Sequence, residues 1–364
     1  MTKFFAKNFL WVFLTASLLI VIAVPTISFA HEVYVLPAGE VDHAMNEPSF
    51  SLWHEALENI GEVSFWAFIG VLAVVSVFLI STMRFLERAL DPVLSYMRRY
   101  ATVIARVTIG LAFLAGAYYQ ALYGPELPLP DHAGPYAGIV TTMLVAMGLM
   151  IIIGWYARVA AFLGVIVYSF MVALHGSYML TYINYLGEII VLLILGAHRY
   201  SLDGYLEKRR GNKHWSTRIP FISKIGSSIT TYLTPHSFAI LRVLFGVALI
   251  YASVYAKILH NNLALLTVEQ YHLDKILGFE PHFLVLGAAI VEIMIGVFFI
   301  LGIEIRFTAL FMLFWLTLSL IYFGEVVWPH LILIGIPIAY IFYGYDKYSV
   351  EGWFFRKKKY GPVL

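Results

Sequence analysis

The sequence predicts an all-α polytopic membrane protein, with two parallel pseudo-repeat four-helix bundles behind one leading transmembrane helix. Three observations predict it. First, hydrophobic residues make up 61% of the 364 and charged residues 13%, with a mean hydropathy of +0.82. A soluble domain is nearer half apolar and a quarter charged. Several apolar runs reach the ~20 residues that a helix needs to cross the hydrocarbon core. Second, Arg199-Tyr200-Ser201-Leu202-Asp203-Gly204-Tyr205 recurs as Lys347-Tyr348-Ser349-Val350-Glu351-Gly352-Trp353. The same offset of 148 (199 to 347) pairs Gly148 with Gly296, Gly154 with Gly302, Arg158 with Arg306, Gly187 with Gly335 and Gly196 with Gly344. A tandem duplication explains so many matches in one register. Third, connections that carry Lys and Arg alternate with connections nearly free of them, only Lys257 and Lys275 falling on outer segments, as the positive-inside rule leads one to expect of a multi-pass chain.

Residues 1–30 read as a secretory signal. Lys3 and Lys7 form the basic end, Phe9 to Val24 the apolar middle, and Ser28 and Ala30 the small residues before a cut that leaves His31 first. An uncleaved first helix is the alternative. The arm 31–63 has no Lys or Arg but carries Glu32, Glu40, Asp42, Glu47, Glu55, Glu58 and Glu62, which puts it outside. Residues 64–100 supply the leading span, Ser64–Met83, and then Arg84, Arg88, Arg98 and Arg99 on the inside. From Arg84 to Tyr100, apolar residues set against arginines predict a helix lying in the inner interface, interrupted at Asp91-Pro92.

The first four-helix unit, 101–206, holds spans at Thr102–Leu122, Ala137–Gly154, Val159–Tyr178 and Ile183–Ala197. Its loop 123–136 lacks Lys and Arg and is predicted outside. The linker 207–236 is basic and predicted inside. The second unit, 237–355, holds spans at Phe238–Ala256, Phe283–Gly302, Phe307–Phe323 and Leu331–Tyr343. The tail 356–364 is basic and cytoplasmic. The outer loop 257–282 follows a shift of offset from 136 (106 to 242) to 148, so the second copy carries extra residues there. Its leucines predict short helices resting on the membrane surface or capping the bundle. The chain is placed in the plasma membrane, with lipid and further membrane-complex proteins as partners. It contains no cysteine, which excludes a disulfide and CxxC chemistry from this chain alone. Nothing points to nucleic acid.

These repeat ends and glycines resemble the DoxX/DoxD superfamily of small four-helix membrane proteins. Arg242-x-x-x-Gly246, Lys257, Glu292-x-x-x-Gly296, Gly302-x-x-x-Arg306 and the 348–351 tail match its pattern. The first copy keeps Arg106-x-x-x-Gly110, Gly154-x-x-x-Arg158 and the 200–203 tail. It has Leu144 where Glu292 stands and Ala121 where Lys257 stands. The resemblance covers roughly residues 101–355. Some relatives look like membrane subunits of quinone-reducing sulfur oxidoreductases, which implies a comparable role here.

Glu292, near the centre of an apolar span, is the sharpest chemical position, because an isolated carboxylate there must be paired, protonated or face a cavity. Arg242, on the preceding span, is its expected partner, and Lys257 completes a catalytic set in the second unit. A buried Arg–Glu brace that only fixes helix packing is the alternative. Arg106 lacks the matching glutamate and is expected to snorkel to the inner headgroups. Glu188, His175 and His330 form a candidate cofactor-binding set near the outer face. Glu188 could partner Tyr182, His175 or an outer metal, or sit hydrated in the mouth of the bundle. His31, His43 and His54 form a candidate metal set, since a terminal histidine offers its amine and imidazole to copper. Solvated interface histidines are the bland reading. The functional expectation is a membrane subunit of an oxidoreductase that binds a quinone or a redox partner. The alternative is a transporter or export-linked scaffold, for which four spans per copy imply parallel rather than inverted repeats.

Overall fold

The structure, a computed structural model, describes residues 36, 38–197, 200–210, 232–324 and 328–354. The signal segment, His31, most of the linker and the basic tail lie outside them. The described chain is helical, with no β-strand among the described residues. Seven helical stretches are long and apolar enough to cross a membrane: Val63–Thr82, Glu87–Tyr118, Leu129–Ile153, Ala157–Leu195, Thr234–Leu259, Pro281–Leu301 and Ile305–Phe323. That content fits a multi-pass membrane protein.

The arm forms α1 (Ala38–Asn46) and α2 (Leu52–Glu58), and leads into the long α3 (Val63–Met97). Next come α4 (Ala101–Tyr118), α5 (Leu129–Ala133), α6 (Ala137–Ile153), α7 (Ala157–His175), α8 (Ile183–Leu195) and α9 (Leu202–Arg210). A 3₁₀ turn, Gly176–Tyr182, divides α7 from α8 within the apolar stretch Ala157–Leu195. After the linker come α10 (Ser237–Ser253), α11 (Asn261–Gln270), α12 (Leu273–Leu277), α13 (Pro281–Leu301), α14 (Ile305–Phe323), the shorter apolar α15 (His330–Tyr343) and α16 (Val350–Phe354). Loops 119–136 and 176–182 meet the end of α10 through Tyr178, which touches Glu126 and Tyr255. That end also receives the arm and is called the arm end. The opposite end, with the two repeated phrases, is the tail end.

α4 packs on α6, and α10 on α13. Between the two halves of the chain, α4 lies against α15 and α8 against α10. Apolar side chains alone give no net attraction in lipid, so close packing of small residues must bring such helices together. A Cβ placed on Gly246 would lie 2.5 Å from the Gly296 carbonyl oxygen, and one on Gly335 would lie 2.3 Å from Thr108 Cγ2. These are the crossing points of α10 with α13 and of α15 with α4.

The repeated phrases act as clamps at the tail end. The Asp203 amide donates to Gly154 O (3.0 Å) and the Glu351 amide to Gly302 O (3.2 Å). The Asp203 carboxylate accepts from the Tyr156 amide (3.1 Å), and that of Glu351 from the Ile305 amide (3.1 Å). Each phrase therefore satisfies free amides at the start of the second helix before it, α7 or α14. Arg106 donates to Ala197 O (2.7 Å) and Tyr200 O (2.8 Å), and Arg242 to Phe299 O and Ile300 O (both 2.6 Å). Arg106 is thus buried and bonded to backbone carbonyls, in place of the expected snorkelling, because the folded tail brings acceptors to it.

One further expectation changes, and one loop takes on an added role. α3 runs unbroken through Pro92, where an interruption was expected. A proline removes one helical hydrogen bond, but here the flanking Glu87 and Asp91 are anchored to Arg306, at 2.7 and 3.7 Å. The 257–282 loop serves as a dock for the arm: Asn261 exchanges hydrogen bonds with the Phe50 backbone (3.1 and 2.6 Å), and Asn262 donates to Pro48 O (3.1 Å).

Candidate functional site

Glu292 lies midway along α13, and its carboxylate is 3.0 Å from Lys257 Nζ. Lys257 belongs to a π-helical turn, Val254–Leu259, that extends α10. Side chains of both helices tilt toward their own N-termini. Since α10 and α13 are antiparallel, Lys257 and Glu292 therefore lean toward one another. Lys257 is 9% exposed and Glu292 26%, so the pair is reachable from one side. Single-turn π segments recur at functional sites, because the extra residue re-aims a side chain.

Arg242 is not part of this pair. Its guanidinium is buried, with Nε 3.3 Å from Asp346 and Nη1 on the two α13 carbonyls. The expected Arg242–Glu292 contact is replaced by Arg242–Asp346 and Lys257–Glu292. Helix rise put Arg242 and Glu292 at comparable depth, but Arg242 is captured by the tail that folds back beneath it.

The proposed cofactor set also separates. Glu188 is fully buried near the midpoint of α8, and its Oε1 accepts from Thr108 Oγ1 at 2.9 Å. Tyr182, one of its expected partners, donates to Glu126. The His175 ring lies 4.7 Å from that of His132, and His330 is buried at the first turn of α15. Of the proposed metal set, His43 bonds Glu47 (3.1 Å) and His54 bonds Glu58 (2.8 Å), each an exposed pair four residues apart. A different set does converge: the ligand atoms of Glu55, Glu280 and His282 lie within 4.8 Å of one another where the arm meets α13. Glu280 there caps α13, accepting from the Phe283 amide at 2.9 Å, and lies 2.7 Å from His282 Nδ1. Burial opposes its ionisation, but the His282 and Phe283 hydrogen bonds outweigh burial and hold its carboxyl below the usual range.

Two clusters were not visible in the sequence. At the arm end, Glu126 Oε1 accepts from Tyr178 (3.0 Å) and from Tyr182. No local spacing ties a loop glutamate to tyrosines 52 and 56 residues away. At the tail end, Arg306 faces Glu87 and Asp91, with Glu304 and Glu351 beside it, all buried. Burial, with the Glu87 charge adding to it, pushes the Glu304 carboxyl up to about 7. Burial likewise raises Glu351 well above its ordinary range, reinforced by Glu87 and opposed by the Ile305 amide. The shared position of Arg158 and Arg306 pointed to the cation, but nothing in the pattern marked α3 as its partner.

Comparison with protein-family models, with curated proteins and with solved structures finds no match for this chain.

Proposed function

We propose that this chain is the membrane subunit of a plasma-membrane oxidoreductase, and that its second unit receives a quinone head group at Lys257 and Glu292. In this reading the chain is two parallel four-helix units of one duplicated ancestor behind α3. The acidic arm lies outside, and the linker and tail inside, following the distribution of Lys and Arg. The observation that carries it is the 3.0 Å pair on a π turn, partly open at mid-span. The motif likeness to DoxX-type proteins supports the same class, as an analogy.

Reduction of a quinone to a quinol takes up two electrons and two protons. Lys257 suits the carbonyl oxygen, as a hydrogen-bond donor and a positive charge where negative charge develops. Glu292, held beside it, can relay to the ring oxygens the two protons that the aqueous phase supplies. The electrons come from a redox-partner protein. A carrier or export scaffold is the second reading, favoured by the carboxyl of Glu188 at the centre of the bundle.

The test is solvent extraction of protein purified in native lipid, followed by titration with a short-chain ubiquinone. Wild type should retain or bind quinone. Lys257→Met and Glu292→Gln should each weaken binding about tenfold, the equivalent of one lost hydrogen bond. Wild type that neither retains nor binds quinone would remove the proposal.

A further inference from the structure

We infer that Glu188 holds a proton at the centre of the bundle and exchanges it with the arm-end surface through the cluster around Glu126. The inference does not rest on the quinone reading, which concerns another site.

The hydrogen bonds around Glu188 leave one place for a proton. Thr108 Oγ1 lies within reach of Ile104 O (3.0 Å), Ala105 O (3.1 Å) and Glu188 Oε1 (2.9 Å). A hydroxyl has one hydrogen and two lone pairs. Facing a carboxylate and two carbonyls, Thr108 can satisfy a single acceptor. Facing a protonated Glu188, it accepts from the acid and donates to its own helix, so every contact is used. Glu188 is 0% exposed, and Oε2 is buried with no hydrogen-bond partner. An ionised carboxylate with a single hydroxyl partner in such a place is far costlier than the neutral acid.

The polar groups that continue from Glu188 lie toward the arm end. Asn184 is one turn away on the same face of α8, buried, with Oδ1 unpartnered. Tyr185, also buried, donates to Tyr123 O at 2.8 Å and lies within electrostatic range of both Glu126 and Glu188. Its ring meets those of Tyr123 (5.0 Å) and Tyr182 (5.9 Å). Tyr182 in turn donates to Glu126, whose Oε2 is buried and unpartnered, as is the Tyr123 hydroxyl. At the rim stand His132 and His175, the latter within electrostatic range of Glu126. Buried oxygens without a protein partner are rare, and where they gather an ordered water usually joins them. Four of them here, on Glu188, Asn184, Glu126 and Tyr123, follow one line from the loop to the centre. Toward the tail end of α4, which carries Thr108, stands the Arg106 guanidinium, fixed on Ala197 O and Tyr200 O, a positive barrier to a proton. The transfer moves a proton alone: Glu188 releases it, and the Glu126 carboxylate or the aqueous phase takes it. At the matching offset, the second copy has Ile332 and Ile336 in place of Asn184 and Glu188, so only one such well exists in the duplicated frame.

Infrared spectroscopy of the full chain in lipid tests this. Wild type should show a carboxylic-acid stretch that Glu188→Gln removes, and that shifts promptly in heavy water. Glu126→Gln should slow the shift roughly 100-fold, the lower end of what a positioned proton-transfer group contributes. Should Glu188→Gln fail to fold, dicyclohexylcarbodiimide labelling of wild type, read by peptide mass, reports the protonated carboxyl directly. An acid band lost in Glu188→Gln, or an adduct on Glu188, supports the held proton. Absence of both overturns it. A band that ignores heavy water, or one that shifts equally fast in Glu126→Gln, overturns the route.

Discussion

Replacing Arg306 with methionine should destabilise the fold by several kcal/mol, and the loss should shrink in acid. Arg306 is buried, with Nη1 2.7 Å from Glu87, Nη2 3.7 Å from Asp91, and Nε donating to Ile341 O at 2.9 Å. Methionine fills comparable space without charge. The change leaves two buried carboxylates without their cation, next to Glu304 and Glu351. Removing one partner of a buried pair costs about 3–5 kcal/mol, and the orphaned carbonyl adds up to about 1–3 kcal/mol. These terms share one side chain and do not sum in full, so about 4 kcal/mol is the working figure. Most proteins have only about 5–15 kcal/mol in total. Protonating the carboxylates removes the uncompensated charge, so lowering the pH should recover part of the loss in the variant. Denaturant unfolding in micelles, followed by tryptophan fluorescence at two pH values, reads both effects. A variant within about 1 kcal/mol of wild type would refute the view that Arg306 fastens α3 to the second unit.

Glu304, raised to about 7 in the fold from its ordinary value near 4.3, binds a proton more tightly folded than unfolded. Wild type should therefore lose stability as the pH rises from about 5 to 8, by on the order of 2 kcal/mol after allowance for solvent screening. Glu304→Gln should flatten that part of the profile and exceed wild type at the upper end; an unchanged profile would contradict the assignment. Gly335→Ala should cost about 1–3 kcal/mol, because its Cβ would lie 2.3 Å from Thr108 on a neighbouring helix. Gly138→Ala, with nothing within 4 Å, should be neutral or slightly stabilising in a melting experiment. Equal melting points for the two would argue against the close crossing of α4 and α15.

The helical class was legible because apolar runs of membrane length leave no other option, and Gly154 and Gly302 marked the ends of α6 and α13. Pairings across the bundle were not legible. Arg242 and Glu292 share a depth, but depth says nothing about azimuth. The tail that claims Arg242 arrives more than a hundred residues later, with Asp346. Pro92 looked like a helix breaker because the gain from anchoring Glu87 and Asp91 to Arg306 lies outside the local pattern. Glu126 carries no signal of its own in a loop that the sequence marks only as lacking Lys and Arg. Only the return of the chain at Tyr178 and Tyr182 makes it a half-buried acceptor. Lys257 and Glu292 were grouped in one set with Arg242, but which cation pairs with the carboxylate depends on the π turn, which residue spacing does not announce.

The mutual hydrogen bonds of Phe50 and Asn261 join residues 211 apart in the chain. At ordinary rates of about 5–20 residues per second, the ribosome makes Asn261 roughly 10–40 s after Phe50. Throughout that interval the arm has no seat, since its seat is made 211 residues later. The Pro48–Phe50 stretch is thus open to chaperones and proteases until Asn261 and Asn262 have been made.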